Sequence, residues 1–501
     1  MEYLMFRAVV KLVFGSMLGK ASGVARELLL ASLYGTGVVA SASRAAQSST
    51  MIPIDFFTSN ALSSAFLPVY SRLRSESKER ASLLFWMVLF LMLAFSAVIL
   101  SMLLIWGREW VELVFPGFSL DARSATLSML NVMAIGVPFY ILGNLLSYVA
   151  MGNGDYSMAS SRATVQNFGM TAGVLFAWIH SSPVLIAWGF TLSYVIYCIW
   201  GLRLFRIGAF APFPSSWNLA DVTSISGKFW YAIRPLLLLP FLLQGNAVVE
   251  RMVASLISED TVAALGYAKL VTDTGVLLIA MPLGLAGLAS MSKMKELDVT
   301  KALTSILPPL LMISIPISLF MAGESESIVR LVFEHGHFSR SSTEVTHVIL
   351  SGLSWGLWAQ ICSYFLVKVL SARMRNREVF IYMAAAIVGN VALNLALFRV
   401  LGGQALGIAS SFYALVLFAL ASYSLGVLAF LWKRIALLLL GGLIFMAGIG
   451  FTSLDLTLLG SAISAILAVI FWVVYIAAIP LLRSDATILV EFILRKFYAP
   501  K

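Results

Sequence analysis

The sequence predicts an all-α polytopic membrane protein with about fourteen transmembrane helices. Hydrophobic residues make up 60% of its 501 residues and charged residues only 12%, and the mean hydropathy is +0.93, a composition outside the range of soluble domains. A helix needs about 20 apolar residues to cross a bilayer, and such segments follow one another along the chain. We place spans 1 to 14 near residues 6–32, 38–70, 82–106, 123–150, 159–180, 183–205, 226–256, 261–291, 302–323, 343–371, 379–400, 404–432, 435–454 and 458–482.

The distribution of Lys and Arg predicts how these spans are oriented. Most of these residues collect on one side, in loops such as Arg72 to Arg80 and at span ends such as Arg162, and few lie on the other, among them Arg108 and Arg251. Because cytoplasmic loops carry the excess of positive charge, both termini are expected in the cytoplasm. The net charge of +10 is then a topology signal that also attracts anionic lipids, and no nucleic-acid partner is predicted.

An internal repeat divides the predicted helices into two lobes. AFLPVYSRLRSESKERASLL and AGLASMSKMKELDVTKALTS lie about 220 residues apart, and each leads from an apolar segment into a basic loop. A second pair, VELVFPGFS and IVRLVFEHGHFS, follows in the same order. We therefore predict a six-helix lobe over residues 1–225, a second over 226–432 in pseudo-two-fold relation, and two extra helices with a cytoplasmic tail over 433–501. Membrane proteins built from parallel repeats bind their ligands where the repeats meet.

Ionisable residues at bilayer depth are concentrated in the first two spans of each lobe. A charge there costs several kcal/mol unless it faces the bundle interior or a wet cavity, so such residues are candidates for function. Outside these four spans, Lys368 is the exception. The set comprises Lys20, Arg26 and Glu27 in span 1, Arg44 and Asp55 in span 2, Arg234 and Glu250 in span 7, and Lys269 and Asp273 in span 8.

The polar residues of span 2 recur at helical spacing. Ser41, Arg44, Ser48, Met51 and Asp55 form one stripe, which is too polar to face lipid. One interpretation is a polar chamber shared by the charged spans. The other is a set of compensating ion pairs that only lock helices together, since the cations and anions nearly cancel.

Neither a metal site nor an enzyme active site is predicted. His335 and His337 are two residues apart without a matching set of carboxylates or cysteines, which is too few ligands for a metal. The sequence contains no P-loop, nucleophile elbow or His-Glu metal helix. No cofactor is expected.

Four segments in order carry a resemblance to a known family. ASGVARELLLASLYGTG, SSAFLPVYSRL, LVFEHGHFS and LVKVLSARMRNREVF resemble the MurJ (MviN) family of lipid II flippases, within the multidrug/oligosaccharidyl-lipid/polysaccharide exporter superfamily. The likeness runs from span 1 to about span 12. It implies two six-helix lobes, a central cavity made from spans 1, 2, 7 and 8, and a groove beside the last two helices for a polyprenyl tail.

The resemblance also implies which residues bind the substrate. The family has two Arg in span 1, an Asp and an Arg in span 2, and an Arg in span 8. The matching positions here hold Lys20, Arg26, Ser41, Ile54 and Lys269, so Ser41 and Ile54 lose the charge, while Arg44 and Asp55 supply charges elsewhere in span 2. We assign substrate binding to Lys20, Arg26 and Lys269, with Arg44 and Arg234 as further candidates, and the role of counter-charge to Glu27, Asp55, Glu250 and Asp273.

The function that this implies is transport of an undecaprenyl-pyrophosphate-linked saccharide, with lipid II the leading substrate, from the cytoplasmic to the outer leaflet by alternating access. We expect a monomer in the bacterial inner membrane, in contact with its lipids, and coupling to the membrane potential or to a monovalent ion. The alternatives are a flippase for an exopolysaccharide or O-antigen unit, a cation-coupled multidrug exporter, and a membrane glycosyltransferase.

Overall fold

The structure, a computed structural model, describes residues 2–58, 60–208, 211–214, 217–291, 294, 296–452 and 458–487. These residues form α-helices, one 3₁₀ turn and no strand. Seven helices are long and apolar enough to cross a membrane, and up to eleven spans result if each bent helix pair counts as one. The chain is therefore an all-α polytopic membrane protein, and the count of fourteen spans stays a prediction.

The chain folds as two compact units. Unit 1 comprises Met1–Ala263 and His335–Phe338, and unit 2 comprises Ala264–Glu334 and Ser339–Lys501. The helices up to the end of unit 1 are α1 Glu2–Tyr34, α2 Val38–Thr58, α3 Asn60–Glu76, α4 Lys78–Ile105, α5 Gly107–Val114, α6 Leu120–Ile135, α7 Val137–Gly152, α8 Ser157–Ile179, α9 Val184–Gly208, α10 Leu219–Ile233 and α11 Leu238–Ile257.

The remaining helices begin with α12, which runs from unit 1 into unit 2. They are α12 Glu259–Met291, α13 Glu296–Gly323, α14 Ser325–Phe333, α15 Arg340–Ser354, α16 Leu357–Ala372, α17 Asn376–Leu401, α18 Gly403–Ser424, α19 Leu428–Thr452 and α20 Leu458–Ala478. The repeat-loop residues Ser292, Lys293 and Lys295 lie outside the described residues, and so does the predicted cytoplasmic tail from residue 488.

The predicted helix boundaries hold to a few residues along most of the chain, but spans 4, 7 and 10 each consist of two helices, and span 7 begins earlier than expected, with α10 at Leu219. A further difference lies near the end. Span 12 was expected to continue to residue 432, but α18 ends at Ser424 and α19 already begins at Leu428. Gly426, with a φ of 70°, makes the turn between them, and hydropathy does not detect a turn inside an apolar run. The predicted lobe boundaries at residues 225 and 432 consequently fall within α10 and α19.

The second pair of repeated segments adopts the same local structure in each unit. Both form a short helix, α5 or α14, followed by a capped one: the Ser119 hydroxyl accepts the N–H of Ala122 at 3.2 Å, and the Ser339 hydroxyl accepts that of Ser342 at 3.3 Å. Both capped helices then bend into the next, by 42° between α6 and α7 and by 50° between α15 and α16. A Ser cap satisfies a backbone donor that the helix end leaves unpaired.

Small residues bring α8 close to its neighbours in unit 1. A Cβ on Gly189 of α9 would lie 2.4 Å from the carbonyl oxygen of Gly169, so the two backbones are in contact. On the other side of α8, the Asn167 side chain donates to the Gly19 carbonyl of α1 at 2.7 Å. Helices in a membrane associate through such close packing and interhelical hydrogen bonds, and α8 thereby fixes the position of α1.

This contact predicts a large cost for any side chain at Gly189. We expect Gly189→Ala to lower the melting temperature of the detergent-purified protein, because the added methyl group must force α8 and α9 apart, at a cost of about 1–3 kcal/mol. Gly227→Ala is the matched control, since a Cβ on that α10 glycine meets nothing within 4 Å. Equal melting temperatures for the two variants would contradict this description of the α8–α9 contact.

Candidate functional site

A buried carboxylate bridges two arginines between α1 and α2. Glu27 accepts hydrogen bonds from the guanidinium of its neighbour Arg26 on one carboxylate oxygen and from that of Arg44 on the other. The side chains of Arg26, Arg44 and Glu27 are only 13%, 16% and 9% exposed. Two cations share one anion here, so the trio has a net positive charge. We call these three residues the arginine cluster.

The turn between α1 and α2 brings the cluster together. Gly35 adopts a φ of 58° and its N–H bonds to the Ala31 carbonyl at 2.8 Å, a left-handed helix ending for which glycine is favoured. Glu27 precedes Gly35 by eight residues and Arg44 follows it by nine. At about 1.5 Å of rise per residue, both side chains lie at nearly the same distance from the turn.

Residues 250 and 251 of α11 add two more charges inside unit 1. The Glu250 residue is only 6% exposed, and Arg251 interacts electrostatically with both Glu250 and Arg44. Arg251 was interpreted from the sequence as an external topology signal. The structure places it within α11, close enough to the cluster for its charge to act on Arg44, and the side of the membrane near which it lies stays a prediction.

Asp55 lies in a separate cavity within unit 1. This cavity has a volume of about 590 Å³ and is lined from α2, α3, α7, α8 and α9. Met51 and Asp55 of the predicted span 2 stripe line it, together with Arg162. Arg162 and Asp55 attract each other electrostatically, and the Arg162 guanidinium donates to the Tyr140 hydroxyl at 3.2 Å. We call this cavity the polar chamber.

The structure places the other predicted charged residues on several further elements. Lys20 is exposed on α1. Arg234 is exposed in the 3₁₀ turn after α10, where its guanidinium lies 4.9 Å from the centre of the Tyr231 ring. Lys269, half-buried, and Asp273, exposed, lie one turn apart on α12 in unit 2. Their assignment to a substrate site stays a prediction.

Comparison with known proteins then identifies the family. The family model described as "Lipid II flippase MurJ" matches residues 30–477. The chain belongs to the MurJ family. The match covers most of the chain and begins just after Arg26 and Glu27, so the role of these two residues stays a prediction.

Curated relatives and a solved structure agree with the family assignment. The "Probable lipid II flippase MurJ" of Rhizobium meliloti (strain 1021) is 27% identical over 442 residues, covering 81% of this chain and 79% of the relative. The protein of the same name from Rhizobium tropici is 24% identical over 413 residues, covering 80% and 77%. The solved structure "Lipid II flippase MurJ, inward closed conformation" has a TM-score of 0.77 at 17% identity, with 94% of this chain and 98% of that one covered.

The two family positions without charge in this chain are packing positions. The Ser41 residue is fully buried and its hydroxyl donates to the Thr36 carbonyl at 3.0 Å and the Glu259 carbonyl at 2.8 Å. Ile54 is also fully buried, in the hydrophobic core of unit 1. Both positions are packed away from solvent, and the charged residues of α2 are Arg44 and Asp55.

Sequence reasoning missed the residues of the polar chamber other than those of α2. Arg162 was interpreted as a cytoplasmic topology signal, because it lies near the start of a predicted span. A usable signal was present in the spacing. Tyr140, Asn144 and Tyr148 of α7, like Arg162 and Gln166 of α8, recur every four residues and thus share one helix face.

The shared carboxylate should contribute strongly to stability. We expect Glu27→Gln to lower the melting temperature of the purified protein by several degrees, because breaking a buried ion pair costs about 3–5 kcal/mol. Glu112→Gln is the matched control: Glu112 also meets two arginines, Arg108 and Arg123, but its side chain is 39% exposed, where an ion pair contributes about 1 kcal/mol or less. Equal shifts in the two variants would show that Glu27 does not hold the cluster together.

Proposed function

We propose that the chain is a flippase that moves the peptidoglycan precursor lipid II from the cytoplasmic to the outer leaflet of the bacterial inner membrane. Membership of the MurJ family and the names of its curated relatives support this function. The observation that carries the mechanism is the arginine cluster, in which Glu27 holds Arg26 and Arg44 together inside the helical bundle.

The cluster can bind the pyrophosphate of the substrate by an exchange of anions. The planar guanidinium of arginine offers a fork of N–H donors that matches phosphate oxygens. In the empty site, Glu27 neutralises part of the charge and keeps both forks in place. A pyrophosphate carries more negative charge and more oxygens than one carboxylate, so it can replace Glu27 as their partner. No covalent bond is made or broken.

The other charged residues assigned from the sequence would extend this site. Lys20, Lys269 and Arg234 would add positive charge along the path of the head group, and Asp55, Glu250 and Asp273 would balance it. The excess of Lys and Arg in the loops supports termini on the cytoplasmic side. We propose that the protein works as a monomer by alternating access of its two lobes.

The membrane potential can drive this transport in the required direction. Moving one elementary charge through the potential is worth about 2.3 kcal/mol per 100 mV. An interior-negative potential therefore favours outward movement of an anionic head group. After release, the same potential favours return of the cationic site toward the cytoplasm, and no nucleotide is required.

The decisive variant for this function is Arg26→Ala. In cells that depend on this protein, we expect the rate at which lipid II reaches the outer leaflet to fall by about 10- to 100-fold, since hydrogen bonds to charged groups contribute about 1.5–3 kcal/mol. Arg26→Lys should give an intermediate rate, because it keeps the charge and loses the fork. The measurement is outer-leaflet accessibility of lipid II, normalised to the amount of inserted protein.

Arg123→Ala is the control for loss of a partly buried, paired arginine. The Arg123 side chain is 27% exposed and pairs with Glu112, which is not a member of the arginine cluster. Arg123→Ala should leave the rate within about twofold of wild type, because the ion pair that it removes is partly exposed to solvent. Failure of the wild-type chain to replace a depleted lipid II flippase would overturn the proposed substrate. Normal flipping by well-inserted Arg26→Ala protein would overturn the role of the cluster.

A further inference from the structure

We propose that the polar chamber of unit 1 is a binding subsite for the saccharide of the lipid-linked substrate. The inference rests on the proposed function, because the ligand is part of the same molecule. It concerns residues to which that function gives no role, above all Arg162, Tyr194 and Gln166. At about 590 Å³, the chamber lies within the range of small-molecule sites, about 300–1,000 Å³.

The charge of the chamber favours a neutral ligand. Its two ionic groups are Arg162 and Asp55, which attract each other, so their charges nearly cancel. The arginine cluster, in contrast, has two cations for one carboxylate. A pyrophosphate is therefore better accommodated by the cluster, and an uncharged polar group by the chamber.

The remaining lining groups supply donors and acceptors in the mixture that sugar hydroxyls and N-acetyl groups require. The Tyr194 hydroxyl donates to the amide oxygen of Gln166 at 2.7 Å, which orients that amide. The Tyr140 ring meets the Tyr194 ring edge to face at a centroid distance of 4.8 Å, which makes a firm aromatic wall. Asn144 and Gln47 add two more amides to the lining.

The position of the chamber relative to the cluster fits one extended head group. Both sites use α2: Arg44 belongs to the cluster and Asp55 to the chamber. They are eleven residues apart and thus near the same face of α2, about 16 Å apart along its axis. The sites come closer at α8, where the Met170 sulfur lies 3.2 Å from the Arg26 guanidinium and 4.0 Å from the Gln166 amide. A saccharide joined directly to a pyrophosphate can extend from one site to the other. Together, the two sites would recognise both the pyrophosphate and the saccharide of the substrate.

The alternative is that these polar groups only hold α7, α8 and α9 together, as interhelical hydrogen bonds do in other membrane proteins. The two explanations predict different effects on ligand binding when a single hydroxyl group is removed. If Tyr194 only stabilises helix packing, its loss should affect the binding of every ligand alike. As part of a saccharide subsite, it would affect only ligands that carry the sugar.

The test compares Tyr194→Phe with Tyr197→Phe in full-length protein in nanodiscs of phosphatidylethanolamine and phosphatidylglycerol. Both tyrosines lie on α9 and are 1% exposed, and each donates a hydrogen bond, but Tyr197 donates to the Met158 backbone at 2.9 Å and does not line the chamber as described. The dissociation constants of lipid II and of undecaprenyl pyrophosphate are measured for each protein. Gln166→Leu is a second chamber variant of similar shape.

We expect both chamber variants to weaken lipid II binding by about five- to tenfold, the effect of one buried hydrogen bond, and to leave undecaprenyl pyrophosphate binding unchanged. Tyr197→Phe should change neither. The proposal is overturned if the chamber variants affect both lipids equally or neither, or if the loss disappears once the peptide is removed from lipid II. Failure of the pyrophosphate assignment would be seen separately, as normal undecaprenyl pyrophosphate binding by Arg26→Ala.

Discussion

The structure of unit 1 depends on the contact of Glu27 with Arg26 and Arg44. A charge inside a membrane bundle is tolerated only with a partner or water, and here one carboxylate serves two cations in surroundings that leave each side chain less than a fifth exposed. The tight turn at Gly35 sets the level of α2 against α1. The hydrogen bond from Asn167 to the Gly19 carbonyl holds α1 against α8. Both contacts help to position the arginine cluster. A site built in this way is already positioned for an anion before one arrives.

The α2 helix connects the two candidate sites, and its composition reflects that position. It is too polar for a lipid-facing helix because one end contributes to a cationic site and the other to a nearly neutral chamber. Small and hydroxyl-bearing residues between them, such as the fully buried Ser49 and Thr50, allow close approach of neighbouring helices. Ser41 and Ile54, where the resemblance implies charges, are buried, and the charges of the same helix lie at Arg44 and Asp55.

Much of the fold followed from the sequence, because hydrophobic length fixes where helices can cross a membrane and because the repeated segments form the same capped helix in both units. Spacing and depth also singled out Glu27, Arg44 and Asp55 as charged residues of one polar region, but the structure places Asp55 in a different site from Glu27 and Arg44. Their partners Arg162 and Arg251 were not predicted. Arg162 and Arg251 were interpreted as loop signals since they lie near span ends, and only the packing of α8 and α11 against other helices brings them near Asp55 and Arg44. Arg234 lies exposed in a 3₁₀ turn, and its assignment to the substrate site stays a prediction.

We propose that a pyrophosphate takes the place of Glu27 as the partner of Arg26 and Arg44. An experimental structure of the protein in nanodiscs with undecaprenyl pyrophosphate bound would reveal this exchange. We expect phosphate oxygens within hydrogen-bond distance of both guanidiniums, and a Glu27 carboxylate that has left at least one of them. A pyrophosphate bound elsewhere, with Glu27 still bridging both arginines, would contradict it.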